Sequence, residues 1–291
     1  MNTDIYYFSG TGNSLFVAKE LQSRIPGSNI IPIASLMQKT NFASSADIIG
    51  FVFPVHALTI PIVVNKFIQK LNITNGKYVF AVATRAGSVF RGFEKIDQLL
   101  KKKKRRLSSH FILEMYHNDS RHGSEYQKYI VPSNADILAL EKVVLEQLDL
   151  IKDIIITKGI SREKDINYTI KTATNPVLGF LVEKIVIFSM KISEYFGGVN
   201  YFYYDEKCNS CGICERVCLS GKINIIDKKP VWQKDILCYM CFACLNFCPK
   251  AAVQIHDIPG VKSYSKENGR YPHPYATVND ISDQKRMDTL K

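Results

Sequence analysis

No cysteine occurs in the first 207 of the 291 residues; all eight lie between Cys208 and Cys248. A disulfide framework spread over the chain is thereby excluded. The start, Met1 to Asp4, also lacks a basic segment followed by an apolar stretch and a cleavage site. The expected setting is therefore a reducing cytoplasm, where clustered thiols hold metal more often than each other. Nor is there an apolar run free of charge that could span a membrane. The strongest candidate, Asn175 to Tyr195, is broken by Glu183, Lys184, Lys191 and Glu194, which at 100° per residue share one arc about 100° wide. We expect an amphipathic helix packed between two domains, with an interfacial membrane helix as the alternative. A composition of 46% hydrophobic and 22% charged residues excludes whole-chain disorder and collagen-like repeats, and the length suits about two domains.

Acidic residues are the scarcer sign, 27 against 38 basic, which leaves +11. The excess is local: residues 1 to 160 hold 20 basic and 13 acidic side chains, whereas residues 203 to 257 hold 7 and 6. Six of the basic residues form the run Lys101 to Arg106, read as a solvated helix end whose cations complement the helix dipole. A contact patch for an acidic partner protein or a polyanion is the other use of such a run. Redox partner proteins are expected; nucleic acid is not.

Short apolar runs alternate with helix-like stretches over residues 1 to 160. Strands are expected near Ile5 to Phe8, Asn29 to Ile33, Ile48 to Phe53, Tyr78 to Ala83 and Leu107 to Met115. Helices are expected at Ser14 to Ile25, Ile62 to Leu71, Val89 to Lys102 and Ala135 to Asp153, with no more than a turn or two between the second and third strands. This pattern predicts an α/β doubly wound parallel five-stranded sheet of order 2-1-3-4-5, with ligands at the carboxyl ends of its strands. A helical connecting segment over 161 to 200, a small α+β cysteine domain over 201 to 257 and a surface tail over 258 to 291 complete the expected organisation.

Cys208, Cys211, Cys214 and Cys218 read CxxCxxCxxxC, and Cys238, Cys241, Cys244 and Cys248 repeat that spacing. Thiolates at successive three-residue intervals let one loop wrap three corners of a cubic [4Fe-4S] cluster, and in this spacing the last cysteine of each motif serves the other cube. One cluster would take Cys208, Cys211, Cys214 and Cys248, the other Cys238, Cys241, Cys244 and Cys218. Zinc usually draws two CxxC-type pairs from separated loops, which would leave the middle thiolate of each triplet surplus. The spacing resembles that of the two-cluster bacterial ferredoxins. Pro249 follows the last cysteine as in that family, whereas Leu219 stands where the first motif normally has proline. Tyr201 to Tyr204 are expected to form a strand whose alternate rings cover the clusters, with Ile213, Ile223, Val231 and Ile255 as dry walls that tune the potential.

The segment Ile5 to Ser14 runs from an apolar strand through Ser9, Gly10, Thr11, Gly12, Asn13 and Ser14 into a helix. Backbone N–H groups and hydroxyls there suit a phosphate. No lysine or arginine lies in the loop, no GK[ST] ends it, Leu15 stands where a dinucleotide fingerprint has a third glycine or alanine, and no acid ends the second strand. The loop is similar to the FMN-phosphate loop of flavodoxins. That resemblance implies two ring-side loops, one containing Pro54, Val55 and His56 and one containing Thr84, Arg85, Ala86 and Gly87. Gly87 would allow backbone approach; a lone loop arginine such as Arg85 is more often solvated, and stabilising an anionic reduced flavin is its alternative role. His117, Asp119, His122 and Glu125 share a loop whose spacing matches no metal motif.

The succession of the two parts resembles the flavodoxin-ferredoxin fusion family. In that family the fifth strand leads into MPxNY; here Met115, Tyr116, His117, Asn118 and Asp119 keep the asparagine and lose the proline and tyrosine. The resemblance implies an electron-transfer protein with FMN and two [4Fe-4S] clusters. An FMN-dependent oxidoreductase acting on a small substrate, with the clusters as relay, is the alternative.

Overall fold

The computed structural model describes residues 2–39, 42–56, 58–87, 90–121, 129–163, 185, 188, 201–257 and 262–286. Its first half runs β1 (Thr3–Tyr7), α1 (Asn13–Arg24), β2 (Ser28–Pro32), α2 (Ile33–Leu36), β3 (Phe42–Ser44), β4 (Ile48–Pro54), α3 (Ile62–Lys70), β5 (Leu71–Ile73), β6 (Tyr78–Arg85), α4 (Gly92–Lys101), β7 (Ser109–Glu114) and α5 (Asn134–Ile156). Five of these strands form one sheet of order β2-β1-β4-β6-β7, parallel throughout. This is the expected order and the flavodoxin-like α/β arrangement. The two three-residue strands β3 and β5 pair separately, and nothing in runs so short marks them as strands.

Alternation along the strands sorts their side chains into two layers. Ile5 and Tyr7 of β1, Ile48 and Val52 of β4, and Phe80 and Val82 of β6 meet α1 and α5 through Leu21, Val17, Val144 and Leu148. Tyr6, Ile49, Phe51, Phe53, Val79 and Ala81 face the other way, onto Val63, Phe67, Ile96 and Leu100 of α3 and α4. A capping box between Ser133 and Asp136 starts α5. On the free side of β7, His110 donates its backbone N–H to Ser161 O and Ile112 donates to Glu163 Oε2, which covers that edge.

The basic run ends α4 as expected. Lys101 pairs with Asp97, Lys103 Nζ donates to Gln69 O and Arg105 donates to Thr74 O. The apolar stretch Asn175 to Tyr195 lies outside the described residues except for Ile185 and Phe188, which are helical and exposed. No helix among the described residues is long and apolar enough to cross a membrane.

The cysteine-bearing half contains β8 (Phe202–Tyr204), α6 (Ile213–Arg216), β9 (Ile223–Ile226), β10 (Lys229–Trp232), α7 (Ala243–Asn246) and β11 (Val253–Ile255). β8 pairs antiparallel with β11, and β9 with β10. The sequence repeat is also a backbone repeat: Ser210, Gly212 and Gly221 have positive φ, and so do their counterparts Met240, Phe242 and Ala251. Beyond it, the tail forms α8 (Val278–Ser282), capped by Thr277 and Asp280. Val217, Leu219 and Ala243 of this half and Ile281 of the tail are buried in the same core as α2 and α3. Leu219, standing in the proline position, is 4% exposed there. A fully buried leucine contributes about 1.5–3 kcal/mol, so the departure from the proline supplies a docking side chain.

Candidate functional site

The two CxxCxxC loops fold so that their thiols line two separate cavities. Cys208, Cys211, Cys214 and Cys248 line the outer one, together with Tyr204, Ile213 and Pro230. Cys218, Cys238, Cys241 and Cys244 line the inner one, together with Phe202, Ile223, Lys222, Trp232 and Tyr239. Each quartet takes its fourth thiol from the other motif. Phe202 and Tyr204, alternate residues of β8, cover one cavity each. Ile255 is buried opposite Phe202 but lines neither of these cavities, and Val231 is 38% exposed and is not a wall residue either. Its neighbour Pro230 takes that place, because the β9–β10 pairing turns Val231 to the opposite face of the strand.

Among the described residues, no three His, Cys, Asp or Glu side chains converge on a point that would hold a single ion. The thiols instead line the two cavities, four to each. Left-handed conformations at Ser210, Met240, Phe242 and Ala251 are costly for residues with a Cβ, and such strain concentrates at ligand loops. Burial pushes the thiols of Cys214 and Cys241 up to about 12 and raises that of Cys244 well above the ordinary thiol range, with neighbouring cysteines adding to the effect. Such thiols are inert unless a metal displaces the proton.

The β1–α1 loop, Ser9 to Ser14, is buried throughout. α1 begins at Gly12 with no capping side chain and no acid in its first turn, so the positive end of its dipole is uncompensated. Ser9 Oγ accepts from Gly12 N, Thr11 Oγ1 accepts from Asn118 Nδ2, and Ser14 Oγ shares a 2.8 Å bond with Thr84 Oγ1. A hydroxyl that accepts still has its own proton to donate, so Ser9 and Thr11 retain donors for an anion. Asn13 Nδ2 donates to Tyr116 O, while Asn13 Oδ1 is buried without a partner among the described residues. This donor set and the open helix end fit a phosphate.

The ring-side loops meet the expectation unevenly. Pro54 ends β4, Val55 N donates to Thr84 O, and His56 exchanges backbone bonds with Thr59. His56 Nδ1 is buried without a partner among the described residues, and burial lowers its pKa to about 4, so the imidazole is neutral. Ala57, Ser88 and Val89 lie outside the described residues. Gly87, next to Ala86, has φ +64 and no described residue within 4 Å of where a Cβ would stand. Arg85 does not carry a free charge to this place: its Nε donates to Glu114 Oε1 at 2.6 Å, and Glu114 Oε2 also accepts from Gly87 N. The pairing follows from strand register, which sets Arg85 opposite Glu114. Asp119 accepts from Arg121 N and His117 O accepts from Tyr129; His122 and Glu125 lie outside the described residues.

The two sites touch. A Cβ added at Gly10 would lie 2.0 Å from the Cys241 carbonyl oxygen. Tyr239, in the wall of the inner cavity, meets Phe8 edge-on at 6.1 Å, and Phe8 meets His56 in the same way at 6.1 Å. Asn118 O accepts from Asn246 Nδ2. The tail straps both sites: His273 N donates to Thr11 O, Gln284 bonds Ser9 through both backbone atoms, and Arg270 donates to Val253 O and Gln254 Oε1. Sequence spacing carried no sign of Phe8, Tyr239, Lys222, Asn246 or Gln284, because their partners are distant in the chain.

No family model and no curated protein matches the chain. Solved structures similar to it include a flavodoxin of Streptococcus pneumonia TIGR4, at 14% identity over 52% of this chain and 99% of that one, with a TM-score of 0.30. An azoreductase from Bacillus anthracis str. Sterne is 11% identical over 52% of this chain and 99% of that one, with a TM-score of 0.32. The rubredoxin oxygen:oxidoreductase of Desulfovibrio gigas is 13% identical over 53% of this chain and 37% of that one, also at 0.32. Scores this low add nothing to the fold, which rests on the strand order itself: a five-stranded, doubly wound parallel α/β sheet of the flavodoxin-like arrangement, joined through one buried core to a duplicated cysteine repeat.

Proposed function

We propose that the chain is an electron-transfer iron-sulfur flavoprotein that holds FMN at the β1–α1 loop and two [4Fe-4S] clusters at the cysteine quartets. The observation that carries this reading is the sorting of eight thiols into two cavities, four to each, with the fourth thiol exchanged between the motifs. The donor-rich, uncapped loop supports the flavin half. FMN exchanges one or two electrons and a cubic cluster one, so a chain holding both converts between the two.

The residues of this chain then have separable tasks. Ser9, Thr11, Asn13, Ser14 and the start of α1 hold the phosphate. Pro54 to His56 and Thr84 to Gly87 flank the ring, with a neutral His56. Phe8 and Tyr239 join that side to the inner quartet through ring contacts. Phe202, Ile223 and Tyr204 keep water from the thiolates. Cys211 is exposed, so the outer quartet is the side on which redox partner proteins would exchange electrons.

The test is purification without oxygen. About eight irons, matching acid-labile sulfide and one FMN per chain are expected from the ligand count. Zinc in place of iron, with no sulfide, would overturn the cluster half, and a colourless iron-free preparation would overturn both.

A further inference from the structure

The cavity lined by Cys218, Cys238, Cys241 and Cys244 also has Lys222 and Trp232 in its wall. Lys222 is 1% exposed. Its Nζ donates to Gln233 O and Ile236 O, each at 2.5 Å. An ammonium has three N–H groups, so one donor remains after those two bonds. Both acceptors are neutral carbonyls, which orient the group without cancelling its charge. Burial lowers its pKa, and Cys238, Cys218 and Asp235, in that order, oppose the shift by favouring the charged form. Trp232 adds a second donor, since its indole N–H is buried without a partner among the described residues.

The repeat supplies an internal comparison. Lys222 stands four residues after Cys218; the matching position four residues after Cys248 is Ala252, in the wall of the outer cavity. One cavity therefore has a buried cation where its twin has a methyl group. A buried ammonium without an anion costs several kcal/mol, and a lysine retained there needs a negative occupant. An iron-sulfur cube held by four thiolates is net negative and becomes more so when it takes up an electron.

We propose that Lys222 is the buried counter-cation of the inner cluster and raises its reduction potential. A nearby positive charge stabilises the more negative, reduced form more than the oxidised form, with little solvent to screen it. One electron enters the cluster and no bond is made or broken. The inference rests on the cluster reading above.

The test uses the full chain carrying Cys211→Ala, which leaves the inner centre as the cluster to be titrated. Lys222→Met and Lys222→Arg are added separately. Iron and sulfide are counted in each, and midpoint potentials are taken anaerobically by electron paramagnetic resonance. Lys222→Met should keep its inner irons and move to a more negative potential, while Lys222→Arg stays at the parent value. Loss of iron from Lys222→Met but not from Lys222→Arg equally supports the counter-cation, because only the second variant keeps the charge. An unchanged potential in iron-replete Lys222→Met overturns the proposal, as does loss of iron from both variants, which would make side-chain shape the cause. A wild-type chain without iron and sulfide would overturn the cluster reading itself, and this inference with it.

Discussion

Replacing Gly10 by alanine puts a methyl group 2.0 Å from the carbonyl oxygen of Cys241 and 2.6 Å from its Cβ. Ordinary contact distances are about 3.5 Å, so the two segments must part by roughly 1.5 Å. The obstacle is backbone, and no rotamer change relieves it. Overpacking costs about 1–3 kcal/mol, and a clash of this kind belongs at the upper end, about 3 kcal/mol. With a urea dependence of about 3 kcal/mol/M for a chain of this size, the midpoint falls by about 1 M. The assay is an anaerobic urea titration followed by emission of Trp232, the single tryptophan and a wall residue of the inner cavity, in parallel with flavin emission. Both transitions should move together, since the same junction supports both sites. Gly87→Ala is the control: nothing among the described residues lies within 4 Å of its added Cβ, and its φ of +64 is unfavourable, at about 1–2 kcal/mol. A Gly10→Ala protein with the wild-type midpoint and full iron and flavin content would refute the docking of Cys241 on the loop.

Cys211→Ala should lower iron from about eight to about four per chain and leave FMN bound, as read by metal and flavin analysis. Gly12→Ala should do the reverse, because Gly12 has φ +107 and its added Cβ would lie 2.4 Å from Ala276. Gln284→Ala leaves both backbone atoms of the buried Ser9 without their tail partner, and at about 1–3 kcal/mol per group should lower the urea midpoint and speed FMN release on dialysis. Burial, with Arg162 adding to it and Asp97 opposing, holds His110 down to about 4, so between pH 6.5 and 4 the unfolded chain binds a proton that the folded chain refuses. That contribution to stability is intact above pH 6.5 and is lost as the pH falls toward 4. His110→Phe, which keeps the stack on Phe93, should therefore lose less midpoint than wild type between pH 7 and 5.

What could be read from the sequence was local. Continuous apolar runs over Ile48 to Phe53 and Tyr78 to Ala83 marked strands buried on both faces, and the cysteine intervals marked two loops that each wrap a volume. Contacts between distant parts of the chain left no such pattern. Ser9 and Gln284 are 275 positions apart, and no spacing rule joins a serine in a glycine loop to a glutamine in the tail. Arg85 looked like a free cation because its partner, Glu114, is set by the register of a neighbouring strand. Lys222 carried no signal in the sequence, because the carbonyls that hold it, Gln233 O and Ile236 O, come from the turn after β10. Val231 failed for a smaller reason: in a two-stranded ribbon, a one-residue change of face exchanges wall for solvent.

Glycines in a phosphate loop are ordinarily explained by the ligand, which needs the backbone close. Here protein presses on the same glycines from outside: Cys241 lies against Gly10, and His273 and Ala276 lie against Gly12. The loop is thus pressed by the inner thiol quartet at Gly10 and by the tail at Gly12, with no side chain between Gly10 and the backbone of Cys241. A flexible linker could bring two redox centres together only part of the time, whereas a shared core fixes their separation. Leu219 makes the same point from the cysteine side. A proline there would shape the turn, but the leucine reaches into the core under α2 and α3 and fastens the inner quartet to the sheet. Leu219→Pro should accordingly leave the cysteine spacing intact and slow electron exchange between flavin and the inner centre. Stopped-flow absorbance after reduction of one centre measures that exchange, and an unchanged rate would mean that the junction does not set it.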